Sequence, residues 1–205
     1  MKLYLIALVL FLALLTTIKT LFAQGLPAFG AGHIYLIEGN LTVSGNNSGT
    51  QSGVVFVDGN LTFTGNYCYG ATGATTGAGD NCSSASSPSG TIGAVFIVRG
   101  DLNIAPSVTR IDAVLISEGI IYTAGAGCSL PAPATPGTNS QLVINGSLIS
   151  LKQPPITDPN ASYIRFCRKL SNNTLAAEII NHQPKYVVIL RHLLSDTLQR
   201  WSEIP

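Results

Sequence analysis

Charge is what this sequence of 205 residues has least of: Asp, Glu, Lys and Arg together make up 10% of it, and the formal net charge is +1. Lys2 and Lys19 both fall within the first 23 residues, and without that stretch the net charge is −1. A nucleic-acid binder needs a basic patch or stripe. Neither charge balance provides one, and no nucleic-acid partner is expected. Only ten acidic residues are available to supply the paired carboxylates that glycoside hydrolysis needs. The four cysteines, Cys68, Cys82, Cys128 and Cys167, include no CxxC pair, which argues against zinc. His33, His182 and His192 are the three histidines, and no nucleophile elbow accompanies them. The glycines at 70, 73, 77 and 79 are followed by no Lys-Ser/Thr and open no helix, so they do not form a phosphate loop. No catalytic, cofactor-binding or metal-binding residue is therefore assigned, no cofactor is expected, and the chain does not read as an enzyme. A long apolar run is also missing. Leu3 to Leu15 is unbroken for 13 residues, short of the roughly 20 that cross a bilayer.

What the chain does have is repetition. IYLIEGNLTVSGN (Ile34 to Asn46) returns as VVFVDGNLTFTGN (Val54 to Asn66) and as VFIVRGDLNI (Val95 to Ile104). Looser copies follow as VLISEGIIYT (Val114 to Thr123) and QLVINGSLIS (Gln141 to Ser150). Their glycines, Gly39, Gly59, Gly100, Gly119 and Gly146, are spaced by 20, 41, 19 and 27 residues. Two residues after each glycine stands Leu41, Leu61, Leu102, Ile121 or Leu148. Three before stands Leu36, Phe56, Ile97, Ile116 or Val143. Apolar columns of this kind are what stacked repeats need, because each repeat buries its side chains only against its neighbours. Glycine is read as supplying the bend, since it lacks the Cβ that forbids positive φ. The expected fold is mainly β: a single-chain β-solenoid (β-helix-like) of about five coils. A β-sandwich with look-alike hairpins is the alternative. Leu41, Leu61, Leu102, Ile121 and Leu148 should share one inward column. The positions two before glycine, Ile37, Val57, Val98, Ser117 and Ile144, are mostly apolar too. Adjacent strand residues face opposite ways, so the outer face also needs a cover.

Residues 1–23 read as a signal peptide or N-terminal membrane anchor, an apolar helical leader with Lys2 ahead of the apolar run and Ala23 before a cleavage point. Residues 24–152 form the repeat domain. Within it the run Tyr67 to Gly90 and the Pro-bearing run Gly125 to Gly137 are loops. Disulfides are expected outside the cytoplasm, Cys68 with Cys82 and Cys128 with Cys167, although four cysteines allow three pairings. Glu38, Asp58 and Glu118 precede repeat glycines and can stack in one column. That column either binds calcium or is a solvated turn neutralised by Arg99. Arg110 and Asp112 either pair or are solvated in the turn after the third repeat. Asn-x-Ser/Thr occurs at Asn40, Asn46, Asn60, Asn81, Asn145, Asn160 and Asn172, read as turn and strand residues of the repeat.

Residues 153–205 form a C-terminal capping segment of small α/β character. Thr174 is placed to cap a helix over Leu175 to Asn181, and Tyr186 to Leu194 is strand or helix. Tyr186, Val187 to Leu190 and Trp201 are the residues expected to cover the repeats. The repeats GNLTVSGN and GNLTFTGN, the segment RKLSNNTLAAEIINHQPKYVVIL and the closing WSEIP resemble exported β-solenoid-like envelope proteins of candidate-phylum bacteria. The likeness runs over residues 34–205. Asn172, Asn173, Thr174, Ala177, Glu178, Trp201 and Glu203 fall on that group's NNxTPAE and Trp-x-Glu positions, while Leu175 and Ala176 depart from its Thr-Pro. The resemblance implies no catalytic residues. The expectation is a non-enzymatic cell-envelope or surface protein for structure or adhesion, presenting loops on a rigid β scaffold. Its partner would be an envelope polymer or another surface protein, and it would meet the membrane only through residues 3–22. A β-helix enzyme acting on polysaccharide, or a pilus or secretion accessory protein, is the alternative.

Overall fold

The computed structural model describes residues 26, 34–45, 52–68, 93–128, 137, 139–153, 163–171, 174–188 and 190–191. Residues 1–23, Cys82, Trp201 and most of both long loops lie outside the described residues. Short apolar strands alternate with Gly-Asn, Gly-Asp or polar corners, and the chain folds accordingly into β1 (Ile34–Glu38), β2 (Leu41–Val43), β3 (Gly53–Asp58), β4 (Leu61–Phe63), β5 (Ala94–Val98), β6 (Leu102–Ile104), β7 (Arg110–Ile111), β8 (Ala113–Ser117), β9 (Ile121–Tyr122), β10 (Leu142–Asn145), β11 (Ser147–Ser150), β12 (Ile164–Arg165) and β13 (Glu178–Asn181).

These strands gather in three sheets. The first has the order β1-β3-β5-β8-β11, the second β12-β9-β6-β4-β2, and the third β13-β10-β7. Every ladder among the described residues is parallel, so the sandwich of hairpins is excluded. The expected β-solenoid of about five coils is corrected as well: the fold is three parallel sheets of five, five and three strands. Alignment of the copies on glycine makes each one strand–Gly–strand unit. It does not reveal that the two arms belong to different sheets, or that a third sheet draws on β7, β10 and β13.

The fifth copy shows the difference in detail. Its glycine, Gly146, separates a third-sheet strand from a first-sheet strand, so Leu148 registers with Leu115 rather than with Ile121. The place beyond Ile121 is taken by Ile164. Leu41, Leu61, Leu102 and Ile121 do share one buried column, but Leu148 belongs to another sheet and is only partly buried. The core fills the space between the sheets with Val55, Phe96 and Leu115 from the first, Phe63 and Ile104 from the second, and Ile111 and Ile144 from the third. Each such side chain stabilises the fold by about 1.5–3 kcal/mol. Phe63, Tyr67 and Phe96 meet edge to face with centroids 5.3–6.0 Å apart, the arrangement the ring quadrupole favours. Ser117 sits among these apolar columns with its hydroxyl satisfied. It donates to the Gly100 carbonyl (2.8 Å) and accepts from Gly119 N–H (3.0 Å).

The glycines also act differently from the expectation. Gly39 has φ +83°, but Gly119 is not in the left-handed region. It is required because a Cβ there would overlap the Gly100 carbonyl and Asp101 Oδ1. That oxygen belongs to a ladder of side chains at the corners. Asn40 Oδ1 accepts from Asn60 N–H, Asn60 Oδ1 from Asp101 N–H, and Asp101 Oδ1 from Ile120 N–H, each at 2.8 Å. Corner amides that the strands cannot satisfy are thereby paired, strand to strand along the stack.

The C-terminal segment, expected as a small α/β cap, contributes strands to the sheets themselves. It supplies β12 to the second sheet and β13 to the third. Residues 175–177, expected as helix, are irregular, and Glu178 to Asn181 is strand, paired in parallel with Leu142 to Asn145. The competing factor is tertiary: β10 offers a free edge with Val143 and Ile144 facing Ile179 and Ile180. Residues 185–188 are helical, and Tyr186 packs with Leu190 over Val54, Val95 and Val114 on the outer face of the first sheet. Val187 and Val188, expected as cover, point to solvent. No helix among the described residues is long and apolar enough to cross a membrane.

Candidate functional site

The outer face of the first sheet carries three columns. One, Val54, Val95 and Val114, is buried under Tyr186 and Leu190. The next runs Leu36, Phe56, Ile97, Ile116 and Ile149 by direct register. It is only half covered, and Leu36 is 66% exposed. The third holds the residues before the repeat glycines, Glu38, Asp58, Arg99 and Glu118, all exposed. Between the second and third columns lies an open cleft of about 250 Å³ lined by Leu36, Phe56, Val57, Asp58, Ile97, Arg99 and Glu118.

Parallel pairing sets Glu38 beside Asp58, about 4.8 Å away across neighbouring strands. Arg99 answers this crowding of carboxylates: its guanidinium donates to Asp58 Oδ1 at 2.8 Å. That hydrogen bond, with the charges of Asp58 and Glu118, raises the Arg99 pKa above its ordinary value. The column thus carries its own cation where a calcium ion would otherwise be sought. Among the described residues no group of three His, Cys, Asp or Glu side chains is placed to hold a metal. The cleft thus has an apolar wall and a charged rim.

Other candidates fall elsewhere. Cys128 and Cys167 form a disulfide across 39 residues. Cys68 is also disulfide-bonded, while Cys82, its expected partner, lies outside the described residues. A native disulfide fits an oxidising, exported environment. Arg110 pairs with Asp112 at 2.8 Å, and the buried Asp112 also accepts from Asn145 Nδ2 at 2.7 Å. Asn145 is thereby withdrawn from the Asn-x-Ser/Thr candidates. Asn40 and Asn60 serve the corner ladder, and Asn46, Asn81, Asn160 and Asn172 lie outside the described residues. His182 Nδ1 stands 3.2 Å from Ser147 Oγ on the surface. His33 and His192 are outside the described residues.

One centre gives no signal in the sequence. Arg168, which reads there as one of several basic residues, is buried at 4% exposure. Its guanidinium donates to five backbone carbonyls: Nε to Thr123 (2.6 Å), Nη1 to Val108 (2.6 Å), Ser140 (2.7 Å) and Pro106 (3.2 Å), and Nη2 to Ala105 (2.8 Å). Burial lowers its pKa to about 10, opposed by the charge of Glu178. Glu178 accepts from the Thr123 hydroxyl (2.7 Å) and from Arg168 N–H (2.9 Å). With the adjoining Cys128–Cys167 bridge, this cluster fastens the C-terminal segment to the corners after β6 and β9. Set against protein-family models, curated proteins and solved structures, the chain matches none.

Proposed function

We propose that the protein is a non-enzymatic, exported component of the cell envelope or cell surface, a rigid parallel-β scaffold that holds a recognition face toward another macromolecule. The observation that carries this reading is the cleft on the outer face of the first sheet, where the Leu36–Phe56–Ile97 column meets Asp58, Arg99 and Glu118. An apolar strip rimmed by both signs of charge fits a protein surface better than a polysaccharide, whose hydroxyls call for a polar lining. Of the two partner classes expected from the sequence, another surface protein is therefore favoured. Support for export comes from the disulfide, the leader-like first 23 residues and the scarcity of charge. The face is presented without moving parts, since parallel ladders and corner side chains hold its columns in register.

Fractionation of the producing cell, followed by binding of the purified protein to the envelope proteins, tests this. The protein should be recovered outside the cytosol with its thiols oxidised. It should bind a protease-sensitive envelope component, and Arg99→Glu should weaken that binding about tenfold, the loss of one rim contact worth about 1.4 kcal/mol. Recovery in the cytosol with free thiols, or equal binding by wild type and Arg99→Glu, would sink the reading.

A further inference from the structure

The outer face of the second sheet is polar where that of the first is apolar. Leu41, Val43, Leu61, Phe63, Leu102 and Ile104 point into the core. Strand alternation turns the residue between each pair outward. The parallel register stacks these outward positions as Thr42, Thr62, Asn103, Tyr122 and Arg165, one from each strand. The row holds hydroxyl, amide, phenol and guanidinium groups and no carboxylate.

The fold leaves the deepest of these groups unsatisfied. In the third sheet, by contrast, Asp112 accepts from Asn145, and Asn145 accepts from Asn181. Asn103 is 8% exposed, and its Oδ1 is buried without a hydrogen-bond partner. Arg165 Nε is likewise buried without one, and Arg165 makes no ion pair among the described residues. Native folds pair nearly all such atoms, because a bare one costs stability. Asn103 and Arg165 stand two strand spacings apart, about 10 Å, with Tyr122 between them. The row thus offers an acceptor, an amphipathic ring and a cationic donor in sequence.

A ligand that answers this row brings hydroxyls to Thr42, Thr62 and Asn103, a ring to Tyr122 and an anionic oxygen to Arg165. Nucleic acid would need several cations along its path, and the row has one. An acidic polysaccharide carries hydroxyls, rings and carboxylates in one chain, and the strand spacing of about 4.8 Å is close to the length of one sugar residue in an extended chain. We propose that the outer face of the second sheet binds an acidic polysaccharide along the row from Thr42 to Arg165. A hydroxyl donates to Asn103 Oδ1, a sugar ring lies on Tyr122, and a uronate carboxylate accepts from Arg165. The inference does not depend on the protein-binding cleft, which is on the first sheet.

Calorimetric titration of the full-length oxidised protein tests it, with polygalacturonate oligosaccharides as the probe and cello-oligosaccharides of equal length as the neutral control. The wild type should bind the uronate chain saturably and about tenfold more tightly than the neutral one. Arg165→Met should abolish that preference, and Tyr122→Ala should weaken uronate binding about tenfold. Asn103→Leu removes the bare oxygen, so it should melt no lower than the wild type while also losing about tenfold in affinity. Arg99→Glu, on the other face, should bind the oligosaccharide as the wild type does. Absence of saturable binding overturns the proposal, and so does equal affinity for the two chains. An Arg165→Met protein that keeps the preference, a Tyr122→Ala protein of unchanged affinity, or an Asn103→Leu protein that binds normally or melts below the wild type also overturns it.

Discussion

Replacing Arg168 gives the sharpest test of how the C-terminal segment is held. Its three guanidinium nitrogens donate to five carbonyls, of Thr123, Val108, Ser140, Pro106 and Ala105. Arg168→Met removes all of them at once. Hydrogen bonds to charged groups contribute about 1.5–3 kcal/mol each, and a buried acceptor left bare costs about 1–3 kcal/mol. The sum is not additive, because carbonyls near the surface can take water. A net loss of about 4 kcal/mol is expected, a large share of the roughly 5–15 kcal/mol that holds a domain. For a chain of this size that lowers Tm by roughly 8–16 °C. Arg168→Lys keeps the charge but has at most three donors, leaves about two carbonyls bare, and should lose roughly 2–3 kcal/mol. Urea unfolding of the oxidised protein reads both values as shifts in midpoint. Burial lowers the folded pKa to about 10, below the ordinary arginine value. Folded and unfolded chains therefore both keep the proton below about pH 10, and the wild-type–Met difference should be flat from about pH 6 to 9. A loss under about 1 kcal/mol in the Met variant, or a Lys variant as unstable as the Met variant, would refute the assignment of the stabilisation to these bonds.

Three further outcomes follow from the packing. Gly119→Ala should cost about 1–3 kcal/mol by overpacking, because its Cβ meets the Gly100 carbonyl and Asp101 Oδ1, whereas Gly45→Ala, with nothing within 4 Å, should be close to neutral in the same melts. Replacing both Cys128 and Cys167 by serine should cost about 4 kcal/mol for a loop of this length, read as a midpoint difference from the oxidised wild type without reductant, which keeps the Cys68 bridge closed in both. Tyr186→Ala should cost about 3–5 kcal/mol and raise binding of an apolar dye by uncovering Val54, Val95 and Val114; unchanged dye binding would mean the valines are covered by something else.

Strand positions and inward columns are legible in the sequence because they rest on local rules. A five-residue apolar strand followed by Gly-Asn and a second short strand recurs in recognisable form, and Leu41, Leu61, Leu102 and Ile121 lie where that pattern puts them. Sheet membership is not legible, since it depends on which corner each strand leaves from. Gly146 looks like Gly119 in sequence but turns between different sheets, and this misplaces Leu148. Leu175 to Asn181 has helix-forming residues, yet the open edge of β10 recruits Glu178 to Asn181 as strand. In the candidate cleft, the stacking of Glu38, Asp58 and Arg99 follows from the repeat spacing, while its wall is hidden because half of the outer face has first to be covered by Tyr186. Arg168 is hidden for a different reason: its partners are main-chain carbonyls, which every residue possesses.

The parallel ladders also dictate an order of assembly. Ile34 pairs with Val54, Val54 with Val95, Val95 with Val114 and Val114 with Ser147, so each rung waits for a strand about 20 to 40 residues further on. No hairpin among the described strands is available to form early, and contacts so distant in sequence fold slowly. A nascent chain is thus unfinished until its last strands emerge, and Arg168 and Cys167, which lock the final corners, arrive near the end. The stack can therefore grow rung by rung as the chain emerges, each new strand meeting an edge that is already formed.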